Sequence, residues 1–176
     1  MKKWNRMGCV TILLLVWLGL TACGAKQPAA LTLDKDFGIE VGGTWFPIYQ
    51  DVEPLLFTLG GDYKLFAAPS CLFVGEDKEF EYRDCSVFTN PVEEIDLWYL
   101  IKLKTGAFKT ARGVAVGSSM DELTAAYGQA HYWESDDQMA YSISGIQGDL
   151  ASPCLLFSIE DETIREIEIY YPTNMN

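Results

Sequence analysis

Basic side chains and histidine are scarce in this sequence. Its 176 residues include 13 Lys and Arg against 25 Asp and Glu, and a single histidine, His131. The resulting net charge of −12 repels the phosphates of nucleic acids, which argues against a DNA or RNA partner. One histidine, with no second His or Cys at ligand spacing, does not supply a zinc site of the usual type. We therefore expect no nucleic acid partner, no metal and no cofactor.

The N-terminal apolar run is too short for a comfortable transmembrane helix. Residues 10–20 (VTILLLVWLGL) fall below the roughly 20 apolar residues that cross a bilayer. Residues 1–6 hold three basic side chains and no acid. Positive charge followed by a short apolar run is typical of a secretory signal. An ordinary N-terminal transmembrane helix is the alternative interpretation.

A cysteine closes this leader. Leu20, Thr21, Ala22 and Cys23 have the order Leu-small-small-Cys, which resembles a bacterial lipobox. The resemblance implies that residues 1–22 are a signal peptide cleaved before Cys23, and that Cys23 carries a diacylglyceryl thioether. Two or three acyl chains attach a protein durably to a bilayer. We expect a lipid anchor at the extracytoplasmic face of the cell membrane, with the bilayer as a partner through acylated Cys23.

Cleavage before Cys23 makes the remaining chain more acidic. It removes three bases and no acid, so the net charge goes from −12 to −15. The residues that follow, 23–35, contain small side chains and Pro28, and they predict a flexible tether. The folded part is then expected to begin near residue 36.

Several sequence landmarks recur in the same order. GIEVGG at 38–43 is similar to GVAVGS at 113–118, and CSVFT at 85–89 is similar to CLLFS at 154–158. Recurrence at a nearly fixed offset indicates internal repeats. We predict an α+β fold of two tandem repeats, residues 36–104 and 110–171. Each repeat would be a short helix followed by an antiparallel sheet of three to four strands.

The helix start of the second unit carries a family resemblance. Ser119 and Glu122 have capping-box spacing, and Gly128 ends the predicted helix. The stretch RGVAVGSSMDEL at 112–123, with the glycine beyond it, resembles the first turn and helix of β-lactamase-inhibitor-protein-like domains. It is also similar to the small lipoprotein subunit of the outer-membrane barrel assembly machine and to uncharacterised lipoproteins of Gram-positive bacteria. The resemblance implies protein binding and does not identify the ligand.

Three cysteines follow Cys23. They are Cys71, Cys85 and Cys154, in a chain expected to face an oxidising compartment. If a hairpin loop is centred on Lys78, Cys71 faces Cys85 and a cross-strand disulfide becomes feasible. We predict that disulfide, with Cys154 as a buried thiol.

Catalytic motifs are missing. Ser118 and Ser119 precede a helix, but there is no Gly-x-Ser-x-Gly elbow and no phosphate loop with a lysine. Acidic pairs such as Asp136-Asp137 follow no EF-hand spacing. We therefore expect a non-enzymatic module that binds a protein or cell-wall partner, with no catalytic residue. The alternative is an envelope hydrolase or metal-dependent enzyme that uses an acidic cleft near His131.

Overall fold

A computed structural model describes residues 28–173 of this chain. The predicted signal peptide, the predicted lipidation site Cys23 and residues 24–27 lie outside the described part. The three helices are α1 (Leu33–Asp36), α2 (Glu53–Leu59) and α3 (Met120–Tyr127). The strands are β1 (Gly38–Val41), β2 (Thr44–Pro47), β3 (Lys64–Pro69), β4 (Glu76–Glu81), β5 (Cys85–Val92), β6 (Ile95–Leu103), β7 (Tyr132–Trp133), β8 (Gln138–Ser142), β9 (Cys154–Glu160) and β10 (Thr163–Tyr170).

The predicted α+β class of two helix-plus-sheet repeats is wrong. The structure is mostly β, with 43% of the described residues in strands and 13% in helices. Strands β1 and β2 form a hairpin, and the other eight form one antiparallel sheet in the order β3-β4-β5-β6-β10-β9-β8-β7. Both α2 and α3 precede four strands along the chain, but those strands share a single sheet. No helix within residues 28–173 is long and apolar enough to cross a membrane.

The two halves of the sheet meet where β6 pairs with β10. Ile101 lies opposite Ile169, and Leu103 lies opposite Ile167. All four side chains are fully buried. Burial of this much hydrocarbon across the seam favours a continuous sheet over two separate ones, because each edge would otherwise expose apolar side chains and unpaired backbone groups.

The capping box predicted at Ser119 and Glu122 is confirmed. The Ser119 hydroxyl accepts a hydrogen bond from the Glu122 backbone N–H at 3.2 Å, and the Glu122 carboxylate accepts one from the Ser119 N–H at 2.8 Å. The helix ends at Gly128, whose φ of 86° is a left-handed conformation that favours glycine. Leu123 and Tyr127 on this helix pack into the core.

One face of the eight-stranded sheet carries the hydrophobic core. Side chains alternate between the two faces of a strand, so every second residue points the same way. Phe80, Val87, Ile101 and Phe157 point toward the layer that contains α2 and α3 and belong to one buried cluster with Leu55 and Leu123. The intervening residues of the same strands point to the opposite side, which we call the open face.

Candidate binding face

The open face carries a band of apolar and aromatic side chains that are only partly buried. Register assigns them to it, because Phe66 lies opposite Glu79, Glu79 opposite Phe88 and Phe88 opposite Leu100. The Phe66 side chain on the outer strand is 53% exposed. The band continues across the other half of the sheet through Tyr170, Leu156 and Tyr132, with the fully buried Ala140 between the last two.

Carboxylate side chains lie between the apolar residues of this band. Glu79 and Asp77 project from β4, and Glu166 and Glu168 project from β10. The Lys102 ammonium donates a hydrogen bond to Glu168 at 2.7 Å, and its nitrogen lies 6.0 Å from the centre of the Phe88 ring. Burial opposes the charge on Lys102, but the hydrogen bond to Glu168 and the charges of Glu168, Glu166 and Glu79 together outweigh burial and raise the pKa of Lys102. The face therefore combines apolar area with an excess of negative charge.

A groove of about 240 Å³ lies near the β3 edge of the open face. Phe66, Phe88 and Tyr99 supply its aromatic walls, and Asp77 and Glu79 lie beside them. Burial raises the pKa of Tyr99, and the neighbouring Asp77 carboxylate adds to the effect. The phenol therefore stays neutral at physiological pH and can donate a hydrogen bond to a bound group.

A second concavity of about 370 Å³ lies near the opposite edge, under the loop that joins β8 to β9. Tyr132, Leu156 and Tyr170 line it together with Cys154. The Tyr132 hydroxyl lies 3.9 Å from the Cys154 sulfur. Burial raises the pKa of Cys154 to about 11. Its thiol is therefore protonated at neutral pH, a poor state for nucleophilic attack.

The single histidine lies away from this face. The Nδ1 atom of His131 is 3.4 Å from the hydroxyl of Tyr141, whose side chain belongs to the core. Within residues 28–173, no group of three or more His, Cys, Asp and Glu side chains could hold a metal ion. Ser118 and Ser119 serve the loop and the helix cap, accepting hydrogen bonds from the backbone N–H groups of Ala115 and Glu122.

The predicted Cys71–Cys85 pair is not bonded in the structure. Both are free cysteines, Cys71 exposed in the loop after β3 and Cys85 buried at the start of β5. No hairpin turns at Lys78, because Lys78 lies inside β4 between Ala67 of β3 and Thr89 of β5. The turn falls earlier, in residues 70–75. Cys154 is buried, as predicted.

The three thiols are expected to differ strongly in reactivity. Burial raises the pKa of Cys85 to about 12 and that of Cys154 to about 11, whereas Cys71 is exposed. In the chain without its leader and with Cys23→Ala, an aromatic disulfide reagent at pH 8 should modify Cys71 on the order of 100-fold faster than the other two. After unfolding without reductant, all three should react. One reactive thiol instead of three would mean that a disulfide forms.

Sequence reasoning did not identify Arg112 as an important residue. Its guanidinium donates to the Asp36 carboxylate at 2.7 Å and to the backbone oxygens of Ala126 at 3.3 Å and Ala29 at 2.9 Å. It also lies 4.9 Å from the centre of the Tyr127 ring. These contacts hold residues 28–36 against α3 and the core. Arg112 lies 76 residues from Asp36, so no local sequence pattern could indicate the pair.

Alternation along the strands could have identified the open face. In β5 and β10, residues such as Phe88 and Tyr170 alternate with fully buried Val87 and Ile169. The open-face positions of these strands are mixed, because Phe88 and Tyr170 lie beside polar residues such as Ser86 and Glu168. Comparison of the chain with protein-family models, with curated proteins and with solved structures found no match.

Proposed function

We propose that this protein is a membrane-anchored extracytoplasmic lipoprotein whose open face binds a protein or another component of the cell envelope without catalysis. The observation that carries the binding proposal is the band of half-buried aromatic and apolar side chains across the sheet. The Phe66 side chain is 53% exposed, and Phe88, Tyr99 and Tyr170 are only partly buried, so the face leaves apolar area in contact with water.

The chemistry of the band suits a macromolecular partner. Aromatic side chains dominate the energetic centres of protein interfaces, because they bury large areas and lose little conformational entropy. The surrounding acids, Asp77, Glu79, Glu166 and Glu168, favour a partner that presents Lys or Arg around an apolar patch. The groove near the β3 edge would receive side chains of that partner.

The membrane part of the proposal rests on the sequence. A basic start, a short apolar run and the Leu-small-small-Cys ending are in the order that export and lipidation require. Attachment through Cys23 would keep the open face in the aqueous envelope, within reach of envelope proteins and the cell wall.

Site-specific photo-cross-linking tests the binding proposal. A benzophenone amino acid would replace Phe88 or Tyr170 on the open face, and the control would replace Phe57 on α2, an aromatic side chain that is 90% exposed. The full chain stays in its native membrane during irradiation. We expect the two open-face positions to give an adduct of the same size and position 57 to give none, because only the open face contacts the partner.

Two results would count against this function. One is an adduct that forms equally well from position 57, which would mean that cross-linking reports proximity in the membrane rather than a specific face. The other is turnover of an envelope substrate by the purified chain that is lost in His131→Ala, which would favour the enzymatic alternative.

A further inference from the structure

One end of the molecule is formed largely by segments of low charge, beside the Arg112–Asp36 ion pair. Three segments meet there: residues 28–33 (PAALTL), 128–133 (GQAHYW) and 143–153 (ISGIQGDLASP). Together they contain one acid, Asp149, and the histidine. These segments carry a smaller fraction of charged residues than the chain as a whole. We call these three segments the charge-poor end.

Contacts between the segments bring them together. Residues 28–31, 128–130 and 143–145 line one cavity of about 230 Å³. Pro28 packs close to Gly128, where an added Cβ would lie 3.4 Å from the proline ring. The Gln147 side chain donates to the Trp133 backbone oxygen at 2.7 Å and ties the β8–β9 loop to β7.

The loop at this end presents hydrocarbon to solvent, and several of its polar groups are hydrogen-bonded within the loop. Ile146 is 62% exposed and Leu150 is 86% exposed. The Ser144 backbone N–H donates to the Ser152 hydroxyl at 3.0 Å, and the one acid, Asp149, accepts from the Ala151 N–H at 3.1 Å. These internal bonds reduce the number of polar groups that lose water when the loop enters an interface.

We propose that the charge-poor end lies against the lipid headgroups, with Ile146 and Leu150 entering the interface. The inference rests on the proposed lipid anchor at Cys23. Five peptide units separate Cys23 from Pro28, and they span at most about 18 Å when fully extended. The end that contains Pro28 is therefore the end nearest the bilayer. Trp133, which is partly exposed at the same end, has the amphipathic ring that favours membrane interfaces.

The low charge of these segments is consistent with contact with lipid headgroups. The acidic remainder of the molecule is repelled by anionic headgroups, whereas the charge-poor end is not. Contact through this end would therefore also set the orientation of the chain and hold the other surfaces away from the lipid.

Labelling from the lipid phase tests the inference. The acylated full chain is reconstituted in phosphatidylcholine vesicles. The vesicles contain a lipid whose headgroup region carries a diazirine, which forms a reactive carbene on irradiation. Modified peptides are then mapped by mass spectrometry. We expect modification at 143–153 and at Trp133 to exceed that at Phe57 and Val74 at least tenfold. Those two control side chains are 90% and 97% exposed, so solvent exposure alone would label them.

Paired variants sharpen the result. Ile146→Asp combined with Leu150→Asp should reduce labelling of Trp133 at least fivefold, whereas Phe57→Asp combined with Val74→Asp should leave it unchanged. Equal labelling of both regions in acylated, vesicle-bound protein would overturn the inference and leave the anchor standing. Absence of the acyl group, detected by the mass of the N-terminal peptide before reconstitution, would overturn the anchor and this inference with it.

Discussion

Replacing Arg112 with glutamine is expected to lower the free energy of unfolding by about 3 to 5 kcal/mol, as removal of one partner from a buried ion pair does. The Arg112 and Asp36 side chains are only 16% and 7% exposed. Without the guanidinium, the Asp36 carboxylate keeps one backbone donor, the Thr32 N–H at 2.8 Å, and loses its countercharge. Urea unfolding of the chain without its leader, followed by tryptophan fluorescence, measures the change.

A second ion pair in the same chain provides the matched control. Arg83 is 89% exposed and pairs with Asp84 at 2.9 Å. Exposed ion pairs contribute between zero and about 1 kcal/mol, so Arg83→Gln should have a small effect. If the two substitutions destabilise the chain equally, Arg112 does not hold the N-terminal segment in the way described.

The contacts of Arg112 also link the stability of the fold to its orientation at the membrane. Arg112 binds the backbone oxygen of Ala29, one residue beyond Pro28. Loss of this contact would lengthen the free chain between Cys23 and the folded body. The Arg112→Gln variant should therefore weaken lipid-phase labelling of the charge-poor end even under conditions in which it remains folded.

Local features of the fold were accessible from the sequence because their causes are local. The capping box at Ser119 and the glycine that ends α3 depend on residues within one or two helical turns. Asp161 and Glu162 form the short turn between β9 and β10, and polar residues between two β-rich runs are a local turn signal.

Strand pairing was harder to predict, because it depends on contacts between distant residues. Lys102 and Glu168, which join β6 to β10, are 66 residues apart in the chain. Periodicity indicates which residues share a face of a strand, but it does not indicate which edge a strand pairs with. The two predicted sheets were therefore one sheet, and the α+β assignment was wrong. The prediction of a hairpin loop centred on Lys78 was wrong for a related reason, because Lys78 lies within β4.

Replacing Cys23 with alanine is expected to abolish lipid modification and membrane retention completely. The lipobox resemblance makes the Cys23 sulfur the attachment point for the diacylglyceryl group, and alanine has no sulfur to accept it. The folded body should keep its stability, because the buried core begins at residues 36–39, beyond the substitution. A serine variant provides the conservative control, since its hydroxyl preserves size and polarity without supplying a thiol.

Metabolic incorporation of a labelled fatty acid, followed by membrane fractionation in high salt, tests the membrane-anchored function most directly. The prediction is that the wild-type chain carries the label and stays in the membrane fraction, whereas Cys23→Ala and Cys23→Ser carry no label and the leader is not cleaved before residue 23. A wild-type chain that takes up no fatty acid and leaves the membrane in high salt would contradict the account.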